Sequence, residues 1–149
     1  MTDIAFYHLT RSTLEQTLPR LLGRVLDQNG RAVVLLGEPA RLPTLDQALW
    51  TCADPDWLPH GTPETGHAAL QPIWLTGEDA PAPNGAKFLF LADGATSTHL
   101  ADYDRVFDLF DGENPEAVAA ARARWRDWKA AGHTLAYWQQ GERGWERKA

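Results

Sequence analysis

Cations and tryptophans are concentrated in the last thirty residues of this chain. A helix through this segment would bring five side chains to one face: Val118, Arg122, Trp125, Arg126 and Lys129. An arginine guanidinium can bind a carboxylate through two parallel hydrogen bonds, and an aromatic wall beside it can hold an apolar side chain. A peptide that ends in a free carboxylate on a bulky residue would satisfy both groups. The pattern therefore predicts a docking site for an acidic partner with an apolar anchor.

The charge of this segment differs from that of the whole chain. Residues 121–149 contain seven Lys or Arg and three Asp or Glu, whereas the full sequence of 149 residues contains 14 and 20 and has a net charge of −6. A solvated basic face is the ordinary outcome for a bare run of charge, and that alternative stays open. The binding interpretation is favoured because the cations are mixed with Trp125 and Val118, and because Asp127 is the only acid in the helix after Glu116.

The helical angle separates the two tryptophans of this helix. At about 100° per residue, the five site residues fall within an arc of about 100°. The adjacent arc carries small residues and one indole: Ala117, Ala120, Ala121 and Trp128. Small side chains would let the helix lie close to a sheet, so we expect Trp128 in the core and Trp125 at the edge of the exposed face.

Other residues that could support catalysis form only weak patterns. The loop after the first predicted strand contains no glycine, and Gly37-Glu38-Pro39 after the second lacks the lysine and hydroxyl of a phosphate-binding loop. Asp93-Gly94 follows another strand, where an aspartate is more often a turn residue than a catalyst. We therefore expect no catalytic site and no cofactor, and a small nucleotide-binding or phosphoryl-handling α/β enzyme is the alternative function.

The histidines do not form a convincing metal site in the sequence. His60 and His67 flank Glu64 in a glycine-rich loop that has no cysteine to complete a ligand set. We expect no metal there, and we expect His8 and His133 to be structural residues near strand ends.

The elements that must position these residues alternate between strand and helix. Short apolar runs predict strands at 4–9, 32–36, 71–75, 87–92, 104–110 and 135–139, and 144–146 continues or turns back along the last one. Helical spacing predicts helices at 14–26, 42–52 and 115–131. This order is typical of one α/β domain over residues 1–149, with a mostly parallel sheet flanked by helices.

Local signals mark several boundaries of these elements. Thr13 and Gln16 form a capping-box pattern at the start of the first helix. Asn114 and Pro115 are typical of the start of the long C-terminal helix. Pro72 makes an edge or strand-start position more favourable for the third strand, because proline cannot donate a ladder hydrogen bond.

Two further tryptophans bracket the end of the second predicted helix. Trp50 shares the apolar side of that helix with Leu45 and Leu49, so the sequence predicts a core position for it. Trp57 lies in a loop rich in Pro and Asp, where it is harder to bury, and tryptophan is enriched at interface hot spots. We therefore interpret Trp57 as a candidate protein contact.

Composition limits the class of protein and of partner. No run approaches the roughly 18 apolar residues of a membrane span. The first ten residues lack the pattern of a secretory signal, and the single Cys52 fits a reducing compartment, so we expect a cytoplasmic protein. A net charge of −6 argues against duplex DNA as the main ligand, and weak direct binding of single-stranded DNA through Trp125 and the arginines is a further alternative.

Several long stretches of the chain resemble one known family. They are AFYHLT near the start, LDQALWTCADPDWLPHG in the middle, VFDLFDGENPEAVAAARARWRDWKAAGHTLAYWQQ in the C-terminal third and GWERK at the end. On these stretches the chain resembles the chi subunit of bacterial DNA polymerase III holoenzyme over essentially its whole length. The resemblance implies a non-enzymatic, Rossmann-like accessory protein of the clamp loader.

The resemblance also implies partners and site residues. In the family, the C-terminal helix binds the acidic C-terminal tail of single-stranded DNA-binding protein, and the arginine and aromatic residue of that site match Arg122 and Trp125. A lysine one turn earlier in the best-known member is replaced here by Val118, so Arg126 or Lys129 would have to supply the missing charge.

A second contact is implied by the aromatic residues with which the family binds the psi subunit. These residues match Trp50 and Trp57. Psi itself is not widespread, so the two tryptophans could instead serve another partner, such as a helicase.

Overall fold

The computed structural model describes residues 2–52 and 58–149. Its strands are β1 (Asp3–Leu9), β2 (Ala32–Leu36), β3 (Ile73–Thr76), β4 (Phe88–Ala92), β5 (Arg105–Asp111), β6 (Thr134–Gly141) and β7 (Gly144–Arg147). They form one sheet in the order β3-β2-β4-β5-β1-β6-β7. Neighbouring strands pair in parallel, except that β7 turns back along β6 as an antiparallel hairpin. The predicted α/β class and the mostly parallel sheet are confirmed.

Three helices in the described residues cover the sheet. They are α1 (Leu14–Asp27), α2 (Leu42–Thr51) and α3 (Pro115–Ala130). The buried side chains of α1 and α2 join one hydrophobic cluster, and those of α3 join a second cluster on the opposite face. The sheet is therefore buried between two helical layers, and α3 is alone among these helices on its face.

The start of α1 follows the prediction from the sequence. The Thr13 hydroxyl accepts a hydrogen bond from the backbone N–H of Gln16, and the Gln16 side chain accepts one from the Thr13 N–H at 2.9 Å. These bonds satisfy N–H groups that the beginning of a helix leaves without partners. Leu18 and Leu22 then lie fully buried against the sheet.

The strands β2 and β3 also agree with their predicted environments. Every residue of β2 is buried, which suits its continuous apolar sequence because both faces of a parallel sheet are covered. β3 lies at the edge of the sheet, directly after Pro72, and Gly61 forms a bridge along its outer side. The edge or strand-start position inferred from Pro72 is confirmed, because β3 is an edge strand that starts at Ile73.

The helix α3 begins and ends where its sequence indicates. The Asn114 side chain accepts hydrogen bonds from two backbone N–H groups of the first turn, and Pro115 occupies the first helical position. After the helix, Gly132 has a φ of 93°, a left-handed conformation that a glycine adopts without steric cost. Trp128 is only 9% exposed and packs in the core beneath α3, which confirms its predicted place.

The predicted core position of Trp50 is wrong. Leu45 and Leu49 are buried, whereas 49% of the Trp50 side chain is exposed. Along a helix, Trp50 is turned by about 100° from Leu49 and by about 140° from Leu45, so the sheet that covers the two leucines does not cover the indole.

Candidate functional site

The helix α3 brings together all five residues predicted for the acidic-partner site. Val118 and Trp125 are half-buried and pack against the hydrophobic cluster under α3. The side chains of Arg122, Arg126 and Lys129 are exposed, and within the described part of the chain none of them forms a hydrogen bond or an ion pair. We call these five residues the α3 surface. Its three cations form no ion pair with an acidic side chain among the described residues.

An aromatic cluster under α3 holds the ring of Trp125 in place. Its ring centre lies 5.4 Å from that of Phe6 and 5.9 Å from that of Tyr137, and both ring pairs are edge-on. Phe6 is fully buried and also contacts Trp128, with the ring centres 5.5 Å apart. Because edge-on ring pairs have a preferred geometry, Trp125 presents a defined apolar wall beside the cations. Its predicted place at the edge of the exposed face is confirmed.

Two residues beside this wall were not among the predicted site residues. Tyr137 lies on β6, and its hydroxyl oxygen is 2.6 Å from Nδ1 of His8 near the end of β1. The two residues are 129 positions apart and meet because β1 and β6 are adjacent strands. Alternation along β6 places Tyr137 on the same face as α3, but only the order of the strands brings His8 next to it.

The positive charge of Arg122 acts on the pKa of both His8 and Tyr137. Burial lowers the pKa of His8, and the positive charge of Arg122 lowers it further, while Asp111 and Glu113 act in the opposite direction. Burial raises the pKa of the Tyr137 hydroxyl, and Arg122 opposes this shift. Tyr137 itself packs against Trp125, one of the five residues of the α3 surface.

Arg124 points away from the α3 surface and pairs with Asp108 of β5. Its Nε and Nη2 atoms donate to the two carboxylate oxygens at 2.7 and 3.1 Å. Both side chains are buried, with exposures of 7% and 1%. Burial raises the pKa of Asp108, and the adjacent guanidinium opposes this shift. Sequence reasoning missed this pair because the acid and the arginine lie on different elements.

The exposed indole of Trp50 forms a second aromatic surface on the opposite side of the sheet. Its ring centre lies 4.1 Å from that of His60, and the His60 ring hydrogen-bonds with the Asp46 carboxylate at 2.8 Å and with the Leu58 carbonyl at 2.7 Å. The hydrogen-bonded His60 ring therefore packs against the Trp50 indole. Trp57, the second residue predicted for this contact, lies outside the described residues.

The loop from β1 to α1 is where many α/β proteins bind phosphate through backbone N–H groups. Here the N–H groups of Thr10, Arg11 and Ser12 all donate to Oε1 of Gln140, at 3.0, 2.9 and 3.1 Å. A side chain of β6 therefore already occupies the position that a phosphate oxygen would take. A phosphate would have to displace Gln140 to bind this loop.

An ion cluster joins the neighbouring end of β4 to α1. Arg41 donates to Oε1 of Glu15 at 2.7 and 2.9 Å and to Oδ1 of Asp93 at 2.6 Å. Burial raises the pKa of Asp93, and the charge of Arg41 opposes the shift. Asp93 and Gly94 have φ angles of 54° and 79°, which confirms the predicted turn. The cluster therefore has a structural role, because its cation, Arg41, is already paired with the carboxylates of Glu15 and Asp93.

Residues 2–52 and 58–149 contain neither a candidate metal-binding cluster nor a candidate membrane-spanning helix. No three side chains of His, Cys, Asp or Glu in these ranges lie close enough together to hold a metal ion. None of the helices in the same ranges is long and apolar enough to cross a bilayer.

Comparisons with known proteins identify a family for this chain. The family described as DNA polymerase III chi subunit, HolC, matches residues 1–136. A protein of Rickettsia prowazekii (strain Madrid E), named "Probable DNA polymerase III subunit chi", is 27% identical over 110 residues. That match covers 72% of this chain and 66% of the relative, just under two thirds of its length. The chain therefore belongs to the DNA polymerase III chi subunit family.

Proposed function

We propose that this protein is a non-catalytic accessory subunit of the DNA polymerase III clamp-loader complex that binds the acidic C-terminal tail of single-stranded DNA-binding protein. The observation that carries the proposal is the Arg122 guanidinium, which is exposed, has no partner among the described residues and neighbours the fixed ring of Trp125 on α3. Membership of the chi family provides the polymerase holoenzyme as the setting for this contact.

Each residue of the α3 surface has its own role in the proposed complex. Arg122 binds the terminal carboxylate of the tail through its two-pronged guanidinium. Trp125 and Val118 line the pocket for the last side chain of the tail. Arg126 and Lys129 attract the acidic residues that precede it and replace the lysine that the best-known family member has in place of Val118.

A peptide titration tests the assignment of Arg122. A fluorescent acidic peptide that ends in Pro-Phe with a free carboxylate is expected to bind with a micromolar Kd, about −8 kcal/mol. Arg122→Ala is expected to weaken binding about tenfold or more, because a charge-assisted contact is lost. The matched control is Arg24→Ala, which removes an exposed arginine from the other face of the protein. Equal affinities of Arg122→Ala and the parent would refute the role of Arg122.

A chemical change in the peptide gives an independent check of the same contact. The peptide with a C-terminal amide keeps its side chains but lacks the terminal carboxylate. Its affinity for the parent should fall to about the affinity of the free-carboxylate peptide for Arg122→Ala. In both cases the contact between the Arg122 guanidinium and the terminal carboxylate is lost.

A second proposed contact links the protein to a psi subunit, or to another partner such as a helicase, through Trp50 and Trp57. The support from the structure is the exposed indole of Trp50 held against His60, since exposed tryptophans are enriched at interface hot spots. The role of Trp57 rests on the family resemblance. Pull-downs from an extract of the source organism should recover a partner with the parent and lose it with Trp50→Ala and with Trp57→Ala. Retention of every partner by both variants would contradict this contact.

Experiments with the same protein and peptide also distinguish two other classes of function. A small nucleotide-binding or phosphoryl-handling enzyme would be stabilised against heat more by nucleotides than by the acidic peptide. A direct binder of single-stranded DNA would release the peptide when an oligonucleotide is added. We expect stabilisation by the peptide alone, because Gln140 occupies the N–H groups of the loop from β1 to α1 and the chain has a net charge of −6.

A further inference from the structure

The α3 surface lies on the side of α3 that faces the hairpin of β6 and β7. Trp125 packs edge-on against Tyr137 of β6, with the ring centres 5.9 Å apart. The other side of α3, with Ala117 and Arg124, borders a cavity that it shares with Asp93 directly after β4. β7 lies beyond β6 at the edge of the sheet. The face of the hairpin that carries Tyr137 is therefore continuous with the α3 surface.

Lys148, directly after β7, projects from this face of the hairpin. Its backbone N–H donates to the Tyr137 carbonyl at 2.7 Å, which continues the register in which Arg147 pairs with Trp138. Directly opposed residues of antiparallel strands project from the same face of a sheet, about 5 Å apart. Lys148 therefore shares the face of Tyr137. Arg147 projects from the opposite face, where Trp138 packs into the cluster covered by α1.

The ammonium group of Lys148 has one acidic neighbour, the side chain of Glu146. Its Nζ lies 3.1 Å from Oε2 of Glu146, and the two side chains are 50% and 55% exposed. Because water screens an exposed ion pair, the lysine can exchange this partner for another carboxylate at little cost. Glu146 lies two residues before Lys148 and so projects from the same face. An acidic ligand on this face would meet one attracting and one repelling charge.

Most of the hairpin lies outside the part of the chain that matches the chi family. The match ends at residue 136, whereas β6 continues to Gly141 and β7 follows it. Within the matched part, Val118 stands where the best-known family member has a lysine. Lys148 therefore adds a positive charge from outside the matched region to a surface that lacks one inside it.

We propose that the acidic residues of the tail lie across Tyr137 onto the hairpin, where Lys148 exchanges Glu146 for a carboxylate of the tail. This inference rests on the proposed function of the α3 surface and extends that surface onto β7. The terminal carboxylate stays at Arg122. Lys148 then compensates, together with the cations of α3, for the charge missing at Val118, while Glu146 weakens binding by repulsion.

Peptide titrations at low salt with three single variants test the inference. For the acidic peptide ending in Pro-Phe, Lys148→Ala is expected to raise the Kd about three- to fivefold, because an attracting charge is lost. Glu146→Gln is expected to lower the Kd about two- to threefold, because a repelling charge is removed and Lys148 is released. A purely structural role of the ion pair would change both affinities in the same direction and would contradict the proposal.

The matched control for Lys148→Ala is Arg147→Ala. It removes the same charge from the adjacent residue, but on the opposite face of the hairpin. Its Kd for the peptide should stay within about twofold of that of the parent. A loss as large as that of Lys148→Ala would assign the effect to net charge and overturn the role of Lys148. Thermal unfolding by circular dichroism checks that all three variants fold.

A second peptide tests whether Lys148 meets the acidic residues of the tail. In this peptide the acidic residues are replaced by asparagine, and the Pro-Phe end with its free carboxylate is kept. Lys148→Ala should bind it as tightly as the parent does, whereas Arg122→Ala should still bind it more weakly. An equal loss for Lys148→Ala with both peptides would contradict a contact with the acidic residues.

The outcomes distinguish this inference from the proposed function beneath it. If the parent does not bind the acidic peptide, or if Arg122→Ala binds it as tightly as the parent, the tail site itself is overturned and the inference with it. If Arg122→Ala loses binding but Lys148→Ala and Glu146→Gln keep the affinity of the parent, the role of the hairpin alone is overturned.

Discussion

Arg124 is held in a buried, two-pronged ion pair with Asp108, at 2.7 and 3.1 Å, directly between Arg122 and Arg126 along α3. A step of two residues turns a helical side chain by about 200°, so Arg124 faces the sheet while its two neighbours face solvent. The pair anchors α3 to β5. It also leaves Arg122 and Arg126 as the arginines of this helix that can meet a ligand.

Breaking this pair should strongly destabilise the protein. Arg124→Ala would leave the Asp108 carboxylate buried without a counter-charge, and the free energy of unfolding is expected to fall by about 3–5 kcal/mol. Arg126→Ala removes an exposed arginine two residues further on and is the matched control, with an expected change within about 0.5 kcal/mol. Urea denaturation followed by circular dichroism measures both. Similar losses of unfolding free energy in the two variants would show that the buried pair contributes no more to stability than an exposed arginine does.

The exposed cations at the end of α3 should act mainly through long-range attraction. We expect the affinity for the acidic peptide to weaken as salt is added, because ions screen exposed charges. The double variant Arg126→Ala/Lys129→Ala should bind more weakly at low salt and show a flatter salt dependence than the parent. Titrations over a range of NaCl concentrations measure this.

A control for this prediction comes from α1. Arg20 and Arg24 are exposed cations on the face opposite α3, and their joint replacement by alanine changes the net charge by the same amount. That variant should keep most of the salt dependence of the parent. Equal flattening in both double variants would assign the effect to net charge rather than to the α3 surface.

Gln140 should stabilise the loop from β1 to α1 because its side-chain oxygen accepts hydrogen bonds from three backbone N–H groups of that loop. Gln140→Ala is expected to lower the free energy of unfolding by about 1–2 kcal/mol and to speed amide hydrogen exchange at Thr10, Arg11 and Ser12, because these groups lose their protein acceptor. Gln139→Ala is the control, since adjacent strand residues point to opposite faces of the sheet. Unchanged exchange at the three amides in Gln140→Ala would contradict the prediction.

The two tryptophans Trp50 and Trp128 should differ in their contribution to stability. Trp128→Ala removes a core side chain and is expected to cost about 3–5 kcal/mol of unfolding free energy. Trp50→Ala removes a half-exposed ring that covers His60, and its cost is expected to stay below about 1 kcal/mol. Chemical denaturation of both variants gives the comparison, and a large loss for Trp50→Ala would indicate a structural role instead of a binding role.

The sequence by itself determined the features that depend on contacts within a few residues. The capping box of Thr13 and Gln16 is a local hydrogen-bond pair, and the Asn114 cap is another. The separation of Trp125 from Trp128 follows from the helical angle, and the buried strands follow from unbroken apolar runs. The cationic face of α3 was predictable for the same reason, since its members lie within twelve positions of one another.

Only the tertiary structure decided which polar groups on that face are free to bind. The order of the strands places β6 beside β1, and this brings His8 to Tyr137 and Thr10 to Gln140 across about 130 positions of chain. Helical angle alone also gave the wrong answer for Trp50, because burial depends on where the sheet ends. Strand pairing and helix docking are long-range contacts that local patterns do not encode. They decided that Asp108 neutralises Arg124, while the Arg122 side chain stays unpaired in the described structure.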